Sequence, residues 1–174
     1  MKAVIQRVLE ASVSSEGRIS GRIDRGLLVY LGAGRSDTEE DALWMAEKTV
    51  NLRIFNDEKG LMNLSIKDLF ETETETCNKP NTHINGIYNT VMHSVLGILA
   101  VSQFTLLADA RKGRRPYYGE AADLETANKL YEFFIAQIRR QGIPCESGVF
   151  RTHMAVTYTN DGPVTILLDS RSQL

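Results

Sequence analysis

The stretch LGILAVSQF, Leu96 to Phe104, runs almost without interruption through aliphatic residues before it turns polar at Ser102 and Gln103. An apolar run of this length, too short for a helix and closed by polar residues, reads as a strand buried on both faces. Working outward, AVIQRV (Ala3 to Val8), LLVYLGA (Leu27 to Ala33), MAVTYT (Met154 to Thr159) and PVTILL (Pro163 to Leu168) also read as strands. Two helices are specified. One is expected to start at Ser36, where Ser-Asp-Thr-Glu forms a capping box with Glu39, and to present Leu43, Ala46 and Val50 on one face. The other carries Ala127, Leu130, Tyr131, Phe134 and Ile138 at helical spacing and stops at Gly142. Strands outnumber helices and do not alternate with them, which predicts a mixed α/β domain rather than a doubly wound parallel sheet.

With 174 residues and 43% hydrophobic content, the chain is expected to form one domain around one core. The formal net charge of −2 argues against non-specific coating of nucleic acid, which needs many phosphate contacts. Cys77 and Cys145 lie far apart and suit a reducing compartment. The N-terminal MKAVIQRV is too short and too charged for a signal peptide, and no stretch approaches a membrane span, so a cytoplasmic protein is expected.

Several motifs compete for a function. Gly32 and Gly34 in GAGRSD follow a strand, but Asp37 stands where a dinucleotide fingerprint needs its third glycine, and a carboxylate there repels a pyrophosphate. The segment Glu71 to Ser94 opens with an acidic repeat and shows no sustained period, so it reads as a surface insertion. Its Cys77, His83 and His93 match no zinc spacing, and no metal or other cofactor is expected. In VSQFTLLADARKGRRPYY, Val101 to Tyr118, a polar Ser102-Gln103-Phe104-Thr105 run leaves a buried strand. It is followed by Arg111, Lys112, Arg114 and Arg115 beside two tyrosines, a combination that holds phosphates and stacks on bases. Finally, NDGP, Asn160 to Pro163, puts proline close to strand residues, which predicts a turn or an edge.

Taken together, AVIQRVLEASV, GLLVYLGA, DALWMAEKTVNLRIFNDEKGLMNLS, VSQFTLLADARKGRRP and TNDGPVTI resemble the D-aminoacyl-tRNA deacylase family over nearly the whole length, apart from the segment 71–94. That resemblance implies twisted, largely antiparallel sheets in a barrel-like arrangement. It also implies a metal-free homodimer that hydrolyses the ester between a D-amino acid and the terminal ribose of tRNA. By the same resemblance the Gly162-Pro163 bond is cis and reaches into the partner's site, Arg7 steadies it, and Ser102, Gln103, Phe104, Thr105 and Leu106 form the pocket motif. A wall of main-chain carbonyls at Gly162 and Pro163 is then expected to exclude L-aminoacyl groups while letting glycyl esters through. Thr105 and Ser102 are weak nucleophiles without a base. His153, just ahead of a strand, is expected to be structural, so the vicinal ribose hydroxyl is the preferred driver of hydrolysis, with backbone N–H groups near Phe104 and Thr105 on the oxyanion. Arg111, Lys112, Arg114 and Arg115 are assigned to tRNA contact. A tRNA- or RNA-binding module without chemistry and a relative of relaxed chirality are the competing readings. The C-terminal Ser172-Gln173-Leu174 is a weak match to a peroxisomal address.

Overall fold

The computed structural model describes residues 1–77 and 96–171, with the side chains of 74–77 left out. His83, His93 and the tripeptide Ser172-Gln173-Leu174 lie outside the described residues, as does most of the expected insertion.

The strands are β1 (Lys2–Ser15), β2 (Arg18–Ile23), β3 (Gly26–Gly32), β4 (Phe55–Asn56), β5 (Met62–Leu64), β6 (Gly97–Ser102), β7 (Cys145–Ser147) and β8 (Met154–Asp169). β1 and β2 form a hairpin whose two loop residues, Glu16 and Gly17, both have positive φ, the geometry that matches the twist of the flanking strands. The main sheet runs β2-β1-β3-β6-β7, with β8 on the other edge of β1. β1 pairs antiparallel with β2, β3 and β8, whereas β3–β6 and β6–β7 are parallel. The sheet curls until β7 comes back against β2: a Cβ on Gly21 would sit 2.9 Å from the Ser147 carbonyl oxygen. This nearly closed arrangement is the expected barrel-like fold.

Three α-helices are present among the described residues, where two main helices were expected. α1 (Glu39–Asn51) and α3 (Leu124–Arg140) pack on one face of the sheet, burying Ala42, Met45, Ala46 and Val50 from α1 and Leu130, Phe134, Ile135 and Ile138 from α3. Leu43, assigned to the buried face of α1, is instead exposed. The start of α1 is also corrected. Thr38 is the N-cap, and the Asp41 carboxylate accepts from its backbone N–H at 2.9 Å. Ser36 and Asp37 are occupied elsewhere. Asp37 is buried, paired with the Met1 ammonium at 3.0 Å and with Arg171 Nε at 2.9 Å, while Ser36 accepts from Arg171.

The extra helix, α2 (Ile66–Cys77), carries helical structure into the start of the segment read as a surface insertion from Glu71. Ser65 and Asp68 exchange hydrogen bonds at its start, a capping box that launches the helix through the acidic repeat. Inside the barrel a second core of Val8, Val13, Ile23, Leu28, Leu99 and Val101 is filled out by Tyr30, Met154 and Val156. Val29, Leu31, Ile98 and Ala100 point to the helices, so β3 and β6 are buried on both faces as their aliphatic runs require.

Candidate active site

Two groups of residues stand out, and a single subunit holds them apart. The first is built where β6 ends. Ser102 pairs with Leu31 of β3, and the Gln103 N–H donates to the Leu31 carbonyl at 2.8 Å, after which the chain winds into a 3-10 turn, Phe104–Leu107. Gly32 makes this possible. A Cβ there would lie 2.8 Å from the Gln103 carbonyl oxygen and 2.6 Å from the Leu107 side chain, so only glycine admits the turn against the strand.

The turn aims its first N–H groups, at Phe104 and Thr105, away from any acceptor within it. The Gln103 side-chain amide donates to the Thr105 hydroxyl oxygen. Phe104 is 58% exposed, and its ring meets that of Tyr118 with centroids 5.1 Å apart. Behind the turn, Tyr131 donates to the Ala100 carbonyl at 2.8 Å, and burial pushes its phenol well above the ordinary range, so it is a neutral brace for β6.

A cavity of about 490 Å³ opens beside Ser102, Gln103 and Phe104. Its walls are apolar, from Leu31, Ala122, Ala127 and Val156, while Arg151, Thr152 and His153 line it from the segment just ahead of β8. Here the structure departs from the sequence reading. His153, expected to be structural, is exposed on the cavity wall, and Arg151 was not singled out at all. The only signal available was a cluster of polar residues just ahead of a strand.

The second group lies in β8. Asn160 pairs with Val8 and Thr165 with Gln6, so Asp161, Gly162, Pro163 and Val164 all stand opposite the single residue Arg7. Of the expected turn or edge, the edge is found: Pro163 sits in a four-against-one bulge within one continuous strand that pairs only with β1 among the described residues, and that is how proline is accommodated. The Gly162-Pro163 bond is cis, and Gly162 has φ +118°. Arg7, only 7% exposed, pairs through Nε with Asp161 at 2.9 Å and donates through Nη1 to the Ile54 carbonyl. Asn160 braces the bulge from one side, donating to the Gln6 amide oxygen at 2.7 Å.

Between the two groups lie three strand spacings across the sheet, β8 to β1 to β3 to β6, and four residues along β1, Ala3 to Arg7. On a flat sheet that is roughly 20 Å. Gly162 and Pro163 are exposed on a sixteen-residue strand whose outer edge pairs with no other strand among the described residues.

The basic loop connects to the first group through Tyr118 and folds back on itself through paired Asp109 and Tyr117. Its four cations are not equivalent. Arg111 is clamped by Asp109, Nη2 to Oδ2 at 2.7 Å, and the bond holds the Asp109 carboxyl well below the usual carboxylate range. Lys112, Arg114 and Arg115 have no carboxylate partner among the described residues. Among those residues no cluster of three or more metal-ligating His, Cys, Asp or Glu side chains occurs, and no helix is long and apolar enough to cross a membrane.

The family model described as D-Tyr-tRNA(Tyr) deacylase matches residues 4–75 and 77–169. The chain belongs to this deacylase family. The match passes through the segment 71–94 with only residue 76 left out. A D-aminoacyl-tRNA deacylase of Koribacter versatilis is 50% identical over 99% of both chains, and one of Thermotoga petrophila is 48% identical over 98% of this chain and 97% of its own. Among solved structures, one titled c-Myc DNA Unwinding Element Binding Protein shares the deacylase fold with TM-score 0.77 and 35% identity, covering 97% of this chain and 98% of that one. A probable eukaryotic D-amino acid tRNA deacylase superposes with TM-score 0.70 at 16% identity, over 96% of this chain and 97% of its own.

Proposed function

We propose that this chain hydrolyses the ester linking a D-amino acid to the terminal ribose of tRNA, as a cytoplasmic homodimer in which the Gly162-Pro163 bulge of one copy completes the Ser102–Thr105 site of the other. The observation that carries the quaternary part of this reading is the separation of the two groups. A bulge braced by Arg7, Asp161 and Asn160 but separated from its own pocket motif by β1 and β3, on an exposed edge strand, is placed to serve a second copy.

In this reading the terminal adenosine enters beside Phe104, whose exposed ring and its neighbour Tyr118 offer a stacking surface, and Lys112, Arg114 and Arg115 hold the acceptor backbone. The N–H groups of Phe104 and Thr105 face the ester and stabilise the oxyanion that forms on its carbonyl. Thr105 is a poor nucleophile here. The partner of its hydroxyl oxygen is the Gln103 amide, which donates a hydrogen bond and is no base. The vicinal ribose hydroxyl of the substrate fills that role, positioning or activating the attacking water next to the carbonyl it serves. Main-chain carbonyls at Gly162 and Pro163 exclude the L enantiomer by occupying the side of the α-carbon where its side chain would go, and they leave a glycyl ester room to react.

The deciding experiment is hydrolysis of matched D-tyrosyl-, L-tyrosyl- and glycyl-tRNA, with and without a chelator, together with the mass of the protein in solution. Chelator-resistant release from the D ester, sparing of the L ester and a dimeric mass are the expected results. Equal release from D and L esters removes the steric filter. A monomer with full activity removes the shared site.

A further inference from the structure

Arg151 has a φ of +61°, in the left-handed region that non-glycine residues seldom occupy, and where Asn, Asp and His are the usual exceptions. It shares this property only with Glu16 among the described non-glycine residues, and Glu16 is explained by its hairpin turn. Arg151 lies with Phe150 in a turn across which the Thr152 hydroxyl donates to the Val149 carbonyl at 2.9 Å; the turn calls for a left-handed residue, and it is filled by arginine rather than by one of those usual exceptions. Its side chain is exposed on the wall of the cavity beside Ser102 and Phe104, and no carboxylate among the described residues lies within ion-pairing distance of it. Other arginines are engaged: Arg7 with Asp161, Arg111 with Asp109, Arg171 with Asp37, and Arg139 with the Cys145 carbonyl. Within the lining of this largely apolar cavity, Arg151 and His153 are the side chains able to carry positive charge.

A lone guanidinium at the mouth of an apolar, low-dielectric cavity focuses a positive field on whatever enters. Guanidinium geometry suits bidentate contact with a phosphate, and an unfavourable backbone conformation kept at a site wall is a sign of a functional constraint. A substrate that places its terminal adenosine in the cavity carries its first anion on the 5′ side of that nucleoside, at the mouth. We infer that Arg151 is a phosphate-binding residue for the phosphodiester joining the last two nucleotides of the acceptor end. The inference rests on the deacylase reading and adds a contact from the cavity lining to those of the basic loop.

The test compares wild type, Arg151→Gly and Arg151→Lys on D-tyrosyl-tRNA and on the D-tyrosyl ester of adenosine, which has no phosphate. For Arg151→Gly the ratio of kcat/KM on tRNA to kcat/KM on the adenosine ester falls about tenfold, through KM, and the slope of log kcat/KM against log salt flattens by about 0.7. Its melting temperature rises by a few degrees, because glycine relieves the left-handed backbone. Arg151→Lys retains part of the ratio. An unchanged ratio, or equal losses on both substrates with a lowered melting temperature, overturns the inference in favour of a structural residue. A loss seen with D-aspartyl-tRNA but not with D-tyrosyl-tRNA overturns it in favour of a contact with the amino-acid side chain. No release from either substrate by wild type removes the deacylase reading and this inference with it.

Discussion

Arg7 lies directly under Gly162: its Nη2 is 3.0 Å from the place a Cβ on that glycine would occupy, with Val164 Cγ2 closer still at 2.7 Å. The bulge is thus shaped from below by a buried guanidinium. Gly162→Ala meets both the contacts and a backbone conformation, φ +118°, that L residues rarely adopt. The expected cost is about 1–3 kcal/mol, read as a melting temperature lowered by several degrees. A substitution that leaves the melting temperature unchanged would mean the bulge is not held as described.

Removing the guanidinium tests the same support from the other side. Arg7→Met keeps the volume but strands the Ile54 carbonyl, which is expected to cost about 1–3 kcal/mol in a denaturant titration. Asp161→Asn should cost less. The Asp161 side chain is 38% exposed and water replaces its partner, so screening limits what the pair contributes. The reverse ranking would put the stabilisation in the ion pair rather than in the carbonyl contact.

Much of this organisation was legible in the residues. The unbroken aliphatics of β3 and β6 required burial on both faces, and the two cores supply it. The Ser102–Thr105 run was recognisable as polar groups delivered by a buried strand. Other features depend on contacts distant in sequence. The capping box at Ser36 was plausible locally, but Asp37 is drawn inward by the Met1 ammonium and Arg171, so the helix begins two residues later. Asp161 to Val164 look like a turn until β1 is laid beside them and only Arg7 is found opposite. The left-handed conformation of Arg151 follows no sequence rule, because nothing in arginine's chemistry favours it.

Substrate assistance makes an unequal pair of outcomes. Thr105→Ala removes a hydroxyl whose partner is the donating Gln103 amide, so kcat for D-tyrosyl-tRNA should stay within about tenfold of wild type. A tRNA ending in 2′-deoxyadenosine should fall by about 100-fold or more, the usual scale for a lost acid–base group. Single-turnover rates decide it. An inactive Thr105→Ala variant, together with wild-type enzyme that cleaves the deoxy substrate normally, would establish a covalent threonine instead.

The basic loop should show a hierarchy that its sequence conceals. Arg111 already spends its charge on Asp109, whereas Lys112, Arg114 and Arg115 are free of carboxylates among the described residues. Arg114→Ala and Arg115→Ala are expected to weaken tRNA binding and to reduce the salt slope by about 0.7–0.9 each. Arg111→Ala should do less, since its guanidinium is already held by Asp109 rather than presented to phosphate. Filter binding across a salt series measures all three, and equal slopes would show that the Asp109 clamp opens when tRNA binds.

Stability at alkaline pH should report on Cys145. Burial pushes its thiol up to about 12, from the 9.0 of an exposed group. The folded state therefore holds this proton more tightly than the unfolded chain, and its contribution is fully present below pH 9. Above pH 9 the unfolded state loses the proton first, so stability declines as pH rises toward 12, by roughly 1 kcal/mol per pH unit from this group. Tyr30 and Tyr131 titrate in the same direction, so the informative quantity is a difference. Denaturant titrations of wild type and Cys145→Ala between pH 8 and 10.5 should converge as pH rises, because the variant lacks this proton. Parallel curves would show that the thiol is reached by solvent, and native-state alkylation of Cys145 at pH 8 would then be fast rather than slow.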